Sequence, residues 1–340
     1  MIQIKKGGHA CYSNGCLVPV LGIPFIDKLY ITVEFLPEHH TQIISNFAEL
    51  IESGYGLKSN KTAYGHNLKI SGNFPNYDGE ALLQCSPHKS KYNFFRLEMT
   101  PARIDMDNLK TVLDKTLPGG YAGVLKNGRV NRMDLSVEIA NVSVAEIIAR
   151  YPKMRVERHY GMGIKNQTKI LGSPTGKKSF TLYDKKKQMQ TFKAKHPGTT
   201  TALPVGKLTR LEMSIKKTNK TLDNILVLPN PLKHLTLVAY PGSMTSKNYA
   251  PSWSLFLSVC EDRGVKAALD HFNPIDKGVY ALRLKQEGKS EWWQPEIVWQ
   301  GLQEAIEELK VVKGNTPCSQ DIIGNEPGIA DYGLDGSSPP

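Results

Sequence analysis

The sequence has little of what marks secretion, membrane insertion or a metal centre built from cysteine or histidine. Its five cysteines (Cys11, Cys16, Cys85, Cys260, Cys318) are odd in number, scattered, and contain no CxxC pair. That argues against a disulfide framework or a cysteine zinc site and fits a reducing compartment. No uncharged apolar run reaches the roughly 18 residues that a spanning helix needs. The first residues, Met1-Ile-Gln-Ile-Lys-Lys6, lack the long apolar core of a signal peptide. The expectation is a cytoplasmic protein with no membrane partner. The histidines are dispersed, and the one adjacent pair, His39-His40, lacks the His-x-His alternation of a strand-borne metal site. Gly172-Ser-Pro-Thr-Gly-Lys177 looks like a phosphate-binding P-loop but is one residue short. Lys178 also stands where Ser or Thr must, and a strand follows where a helix must start. No ATPase is expected.

Lysine and arginine are absent from residues 314–340, which hold four acids (Asp321, Glu326, Asp331, Asp335). Residues 1–313 therefore carry 43 basic residues against 28 acidic ones, a net +15. A folded body that basic attracts a polyanion, most commonly nucleic acid, although a solvated lysine-rich surface gives the same total.

Strand and helix signals alternate along the chain. Residues 29–36 read as a strand and 41–53 as a helix. Strands near 67–72 and 92–99 follow, then a helix near 105–116. A second run predicts a strand at 130–139, a helix at 142–151, and strands near 154–161, 168–172 and 179–183. A basic helix at 184–195, a strand at 207–216 and a short helix at 219–227 close it. This predicts an α+β protein with two related units of twisted antiparallel sheet, residues 1–120 and 121–230, each with helices on one face. Pro-rich connections and helices at 252–263, 265–271 and 296–310 make 231–313 a small C-terminal helical appendage. The Gly-, Pro- and Ser-rich acidic tail, 314–340, is expected to be disordered.

Three strand candidates share one order: an arginine, an apolar residue, an acid. They are Arg96-Leu97-Glu98, Arg132-Met133-Asp134 and Arg210-Leu211-Glu212. Strand side chains alternate, so each Arg shares a face with its acid while Leu97, Met133 and Leu211 point into the core. Glu138 extends the polar face of the second strand. Carboxylates converging on such a face make an oxygen site for Mg²⁺ or Mn²⁺, and the arginines would keep them ionised or grip phosphate bidentately. Cross-strand ion pairs that merely fix register fit the same pattern.

Tyr183 ends the strand Ser179-Phe-Thr-Leu-Tyr183 and precedes Asp184-Lys185-Lys186-Lys187. If Phe180 and Leu182 face the core, Thr181, Tyr183 and Lys185 face outward. Residues 168–196 hold eight lysines and one acid, so the tyrosine is expected exposed in a positive field. Such a field would favour attack by a phenol, whose usual pKa of about 10 makes it a poor nucleophile at neutral pH. A tyrosine at a strand end is ordinarily a packing residue with a wet hydroxyl.

At these residues the chain resembles the replication initiation factors of filamentous phages and small rolling-circle plasmids. The resemblance covers about residues 20–230. It rests on the order of Ile23-Pro-Phe-Ile-Asp27, Glu98-Met-Thr-Pro-Ala102, Arg132-Met-Asp134, Thr168…Leu171-Gly-Ser173 leading to Leu182-Tyr-Asp-Lys185, and Arg210-Leu-Glu212. It implies a nickase that cuts one strand of a supercoiled double-stranded origin, becomes linked to the 5′ phosphate, and leaves a 3′-hydroxyl primer. It also implies later cleavage and religation of the displaced single strand, with host helicase and polymerase as partners in a bacterial cytoplasm. By motif, Tyr183 is the nucleophile. Glu98, Asp134 and Glu212 are the metal ligands, with Glu138 in reserve. Lys185 and Lys187 would stabilise charge, and Arg96, Arg132, Arg210, Lys177, Lys178 and Lys186 would contact DNA. With one tyrosine in the motif, religation would use Tyr183 again, a second subunit, or another residue such as Tyr160. A non-catalytic DNA- or RNA-binding protein is the alternative.

Overall fold

The computed structural model describes residues 12–13, 16–55, 63–71, 80–88, 94–152, 154, 156–161, 168–173, 175–197, 202–239, 251–287 and 292–310. The tail predicted to be disordered lies outside them. A two-residue hairpin, β1 (Tyr12–Ser13) and β2 (Cys16–Leu17), precedes β3 (Val20–Leu21). The first half continues as β4 (Phe25–Glu34), α1 (His40–Glu52), β5 (Tyr64–Ser71), β6 (Glu80–Pro87), β7 (Phe94–Met99), α2 (Met106–Thr116) and α3 (Gly120–Asn127). The second half follows as β8 (Arg129–Ala140), β9 (Ile147–Arg150), β10 (Glu157–Tyr160), β11 (Thr168–Leu171), β12 (Lys178–Asp184), α4 (Lys185–Lys195), β13 (Leu208–Lys220) and α5 (Leu222–Leu226). Then come β14 (Thr236–Ala239), α6 (Pro251–Arg263), α7 (Val265–Asp270), α8 (Pro274–Glu287) and α9 (Pro295–Lys310).

Alternation builds the sheet. In β7, Phe95, Leu97 and Met99 are buried while Phe94, Arg96 and Glu98 are half-buried. Helical spacing covers one face of it: Ile43, Phe47 and Leu50 form the buried stripe of α1, and the Phe47 ring meets Phe95 edge-on. Asp105 caps α2 by accepting from the backbone N–H of Asp107 and Asn108 at 3.0 and 3.1 Å. Residues of α1, α2, α3, α5 and α9 share one apolar cluster with Leu83, Leu97, Met133 and Leu211. That face of the sheet is the core. The other face carries the polar side chains.

Apart from β1, β2 and β9, the strands of both halves join in one antiparallel sheet of ten, ordered β10-β11-β12-β13-β8-β4-β7-β6-β5, with β3 pairing against the end of β8. The join is the β4–β8 pair, which leaves both long strands without a free edge. Outward from β4 the order is β7, β6, β5; outward from β8 it is β13, β12, β11 and β10.

Two stretches differ from the sequence-based expectation. The helix predicted at 142–151 is a 3₁₀ turn, Val144–Glu146, closed by a capping box between Ser143 and Glu146, followed by β9. Its apolar residues serve two cores at once. Ile147 and Ala149 enter the main cluster, and Ile148 enters a second one built by α6, α7 and α8. That demands strand alternation. The stretch 231–313 also divides, because α9 packs on the main core while α6, α7 and α8 gather on the β9–β14 ribbon. Glu157 of β10 ties on α7 by accepting from the Val265 and Lys266 N–H groups, both at 3.3 Å.

Candidate active site

Tyr183 owes its direction to the two residues that flank Leu182. Phe180 and Leu182 are fully buried in the core, so Ser179, Thr181 and Tyr183 share the polar face. The strand stops one residue later because the Asp184 side chain accepts from the Lys187 N–H at 2.9 Å and caps α4. Leu-Tyr-Asp-Lys thus reads as strand end, nucleophile candidate, cap and helix start. Register places Tyr183 opposite Arg210 and Thr181 opposite Glu212. One strand further, Arg210 faces Glu138, Glu212 faces Ser136, and Ser214 faces Asp134.

The tyrosine is half-buried, not exposed as expected. Burial pushes its phenol up to about 12, with Glu212 and Asp27 adding to the rise. Arg210 opposes it by charge and by a hydrogen bond to the phenol. The same guanidinium donates to Glu138 at 2.5 Å, lies 3.6 Å from Asp27, and sits over the Phe25 ring at 5.0 Å. Asp27 reaches this face through a register irregularity in β4 between Ile26 and Lys28. Periodicity could not place it.

The three Arg-x-acid strands all present these residues on this face, β13 and β8 as neighbours and β7 beyond β4, but their acids are not equivalent. Asp134 is fully buried and held by Arg132 from two nitrogens, the Nε contacts at 2.9 and 3.0 Å. Glu98 is paired with Arg96. Its cross-strand neighbours are Tyr30 and Leu82, which leaves it two strands, about 10 Å, from the β8 row. Glu212 alone has no hydrogen bond or ion pair among the described residues. Burial holds its carboxyl above the usual range, Asp134 and Asp27 add to that, and Lys28 pulls the other way. Beside it, the buried Ser136 hydroxyl has no partner among the described residues. The expected three-carboxylate set of Glu98, Asp134 and Glu212 is therefore not assembled. Among the described residues no three His, Cys, Asp or Glu side chains are placed to hold a metal ion. Asp134 and Glu212, on adjacent strands and coupled electrostatically, are the pair that comes together.

The lysines divide in the same way. Lys185 is buried, and burial, followed by Arg210 and Arg103, brings its amine down to about 8. Lys187 is exposed, and Lys186 donates to the Gly206 carbonyl at 3.2 Å. Lys178 begins β12, some five residues or about 17 Å from Tyr183, and its amine lies over the Tyr151 ring at 6.0 Å. Lys177 precedes it and is likewise remote. The cation at the phenol is Arg210, not the lysine helix. Asp27, Lys28 and Tyr30 are the site neighbours that pattern reading missed.

No family model matches the sequence, and no curated protein matches it. Among solved structures, a rolling circle replication initiator protein from Geobacillus stearothermophilus is similar to this chain at a TM-score of 0.33 and 15% identity. The likeness covers 72% of this chain and 98% of that one. At that level it carries no argument about fold or activity. No described helix is long and apolar enough to cross a membrane.

Proposed function

We propose that the chain is a rolling-circle replication initiator that nicks one DNA strand with Tyr183. The observation that carries the reading is the Tyr183–Arg210 contact, set beside an unpaired Glu212 on the polar face of the sheet. The resemblance of the ordered motifs supplies the reaction, and the side-chain chemistry suits it. In the proposed step the Tyr183 oxygen bonds to phosphorus as the bond to the 3′ oxygen breaks. The phenol loses a proton and the 3′ oxygen gains one, leaving a 5′-phosphotyrosyl link and a primer. The link conserves the phosphodiester, so religation needs no nucleotide.

Arg210 would stabilise the phenolate as it forms and charge on the phosphate after it. Three lysines open α4 at its positive end, where cations are disfavoured. A helix start loaded against its own dipole suits an anion such as a phosphate. The oxygen-only donor set of Glu212 and Asp134 fits Mg²⁺ or Mn²⁺, which need only one or two carboxylates beside substrate phosphate. A cation there would offset the Glu212 charge, which opposes Tyr183 ionisation, and would polarise the phosphate. Glu98, two strands from the β8 row, falls outside this set. The shared strand order outward from β4 and β8 supports two related units.

The competing reading is a non-catalytic DNA- or RNA-binding protein, and the raised Tyr183 phenol favours it. Incubation with supercoiled DNA bearing the cognate origin and Mg²⁺ separates the two. Nicking predicts open circles with protein at the 5′ end and none with Tyr183→Phe. Salt-sensitive binding without cleavage, or normal cleavage by Tyr183→Phe, overturns the proposal.

A further inference from the structure

The register irregularity that brings Asp27 to the polar face brings a second residue with it. Ile26 and Leu29 are both buried in the core, and two residues stand between them, so Asp27 and Lys28 both leave the core for the other face. Asp27 lies 3.6 Å from Arg210. Lys28 is half-buried opposite Asp134 and has no hydrogen bond or ion pair among the described residues. The arginines of this face differ in that respect: Arg96 is paired with Glu98, Arg132 with Asp134 and Arg210 with Glu138.

Lys216 stands opposite Arg132 from the other side of β8, so the two lysines flank that strand with the Arg132–Asp134 pair between them. Each is felt by the other. Burial, then Arg132, brings the Lys216 amine below its ordinary range; Lys28 adds to the fall, and Asp134 and Glu212 oppose it. Three cations, Lys28, Lys216 and Arg132, thus meet two acids, Asp134 and Glu212. Ammonium groups set near one another repel, and an anion between them removes the repulsion. On a face read as a DNA site, that anion is a backbone phosphate. From Tyr183, Lys28 lies four residues along the strands and three strands across, about 20 Å between backbones. That is too far for the reacting phosphate and within reach of the same DNA strand.

We infer that Lys28 and Lys216 form a phosphate subsite that grips the DNA strand several nucleotides from the phosphate at Tyr183. The inference rests on the reading of this face as a DNA site, but occupancy needs no covalent step and no metal. Binding is therefore measured by fluorescence anisotropy with Tyr183→Phe protein in EDTA, using a labelled oligothymidylate of about 12 nucleotides over a series of salt concentrations. Each phosphate contact to a single strand adds about 0.7 to the slope of log K against log salt. Lys28→Met and Lys216→Met should each flatten the slope by about that amount and weaken binding about fivefold at about 0.1 M salt. Lys28→Arg, which keeps the charge, should keep the slope. A Lys28→Met slope equal to the parent's overturns the subsite, because a merely structural lysine alters affinity without altering the number of ions released. Should a Met variant fail to fold, lysine footprinting on the Tyr183→Phe protein decides. Saturating oligothymidylate should slow acetylation of both Lys28 and Lys216, and unchanged reaction at either overturns the subsite. A flattened slope in a chain whose native form never nicks would sink the nickase reading alone.

Discussion

Arg210 stands opposite Tyr183 on the neighbouring strand and donates to Glu138 at 2.5 Å, tying the phenol to a carboxylate two strands away. One guanidinium thus serves two neighbours that want different things from it. Glu138 takes a hydrogen bond from it in the resting fold, and the phenol needs a cation only as it loses its proton. Replacing Arg210 with Lys keeps a charge but loses the planar fork. Single-turnover nicking by Arg210→Lys is expected to fall by roughly 10²-fold, the usual loss for one preorganised donor. Arg210→Ala should in addition lower unfolding free energy in urea by about 3 kcal/mol, because Glu138 and Asp27 are left without their cation. A Lys variant that nicks at the native rate would show that the contact only fixes register.

The acids should separate in the same assay. Glu212 is unpaired beside Asp134, whereas Glu98 is neutralised by Arg96 two strands from the β8 row. Glu212→Ala should reduce Mg²⁺-dependent nicking by at least about 10²-fold. Glu98→Ala should stay within about threefold of native. Equal loss in both would restore the three-carboxylate site that the motif order predicts.

The phenol sets the pH profile. With its pKa pushed up to about 12, chiefly by burial, only a small fraction of Tyr183 is phenolate at neutral pH. That fraction grows tenfold per pH unit until the pKa is reached. The logarithm of the single-turnover nicking rate should therefore climb with a slope near one, without levelling at about pH 10 where a free tyrosine titrates. A plateau below pH 9 would mean that another group limits the step.

Much of this was legible in the sequence, and what was not has a physical reason. Leu97, Met133 and Leu211 are buried as alternation requires, and the arginines and acids around them share the opposite face. Alternation also turned Tyr183 to that face. Burial was not readable, because it depends on Thr168 of β11 pairing beside it and on Arg210 arriving from a strand with no local signal of its partner. The placement of Asp27 depends on a register irregularity, which period-two reading cannot see. The failed helix at 142–151 is a similar case. Ile147, Ile148 and Ala149 read as a helix stripe until two separate cores claim alternate residues. Which acids converge was likewise a matter of strand order, since Glu98 and Asp134 carry the same local motif.

The junction between the sheet and the C-terminal helices yields a test of stability. Lys169 of β11 is almost wholly buried and donates to the Ile147 carbonyl at 2.6 Å. Burial brings its amine from 10.5 down to about 8, against the pull of Glu261 and Glu157. The sign follows from proton counts. Between pH 8 and 10.5 the unfolded chain holds a proton on this residue that the folded chain has lost, so stability rises with pH in that window. Below pH 8 both states are protonated and the full cost of burying the charge remains, at most about 3 kcal/mol for a shift of this size. Wild-type protein should therefore gain unfolding free energy in urea between pH 7.5 and 10 relative to Lys169→Met. Tyrosines, cysteines and Lys185 titrate in both proteins and cancel in the comparison. Lys169→Met leaves the Ile147 carbonyl without its donor and costs stability at every pH, which shifts the curve but not its slope. An identical gain in the two proteins would mean that Lys169 keeps its charge within the fold.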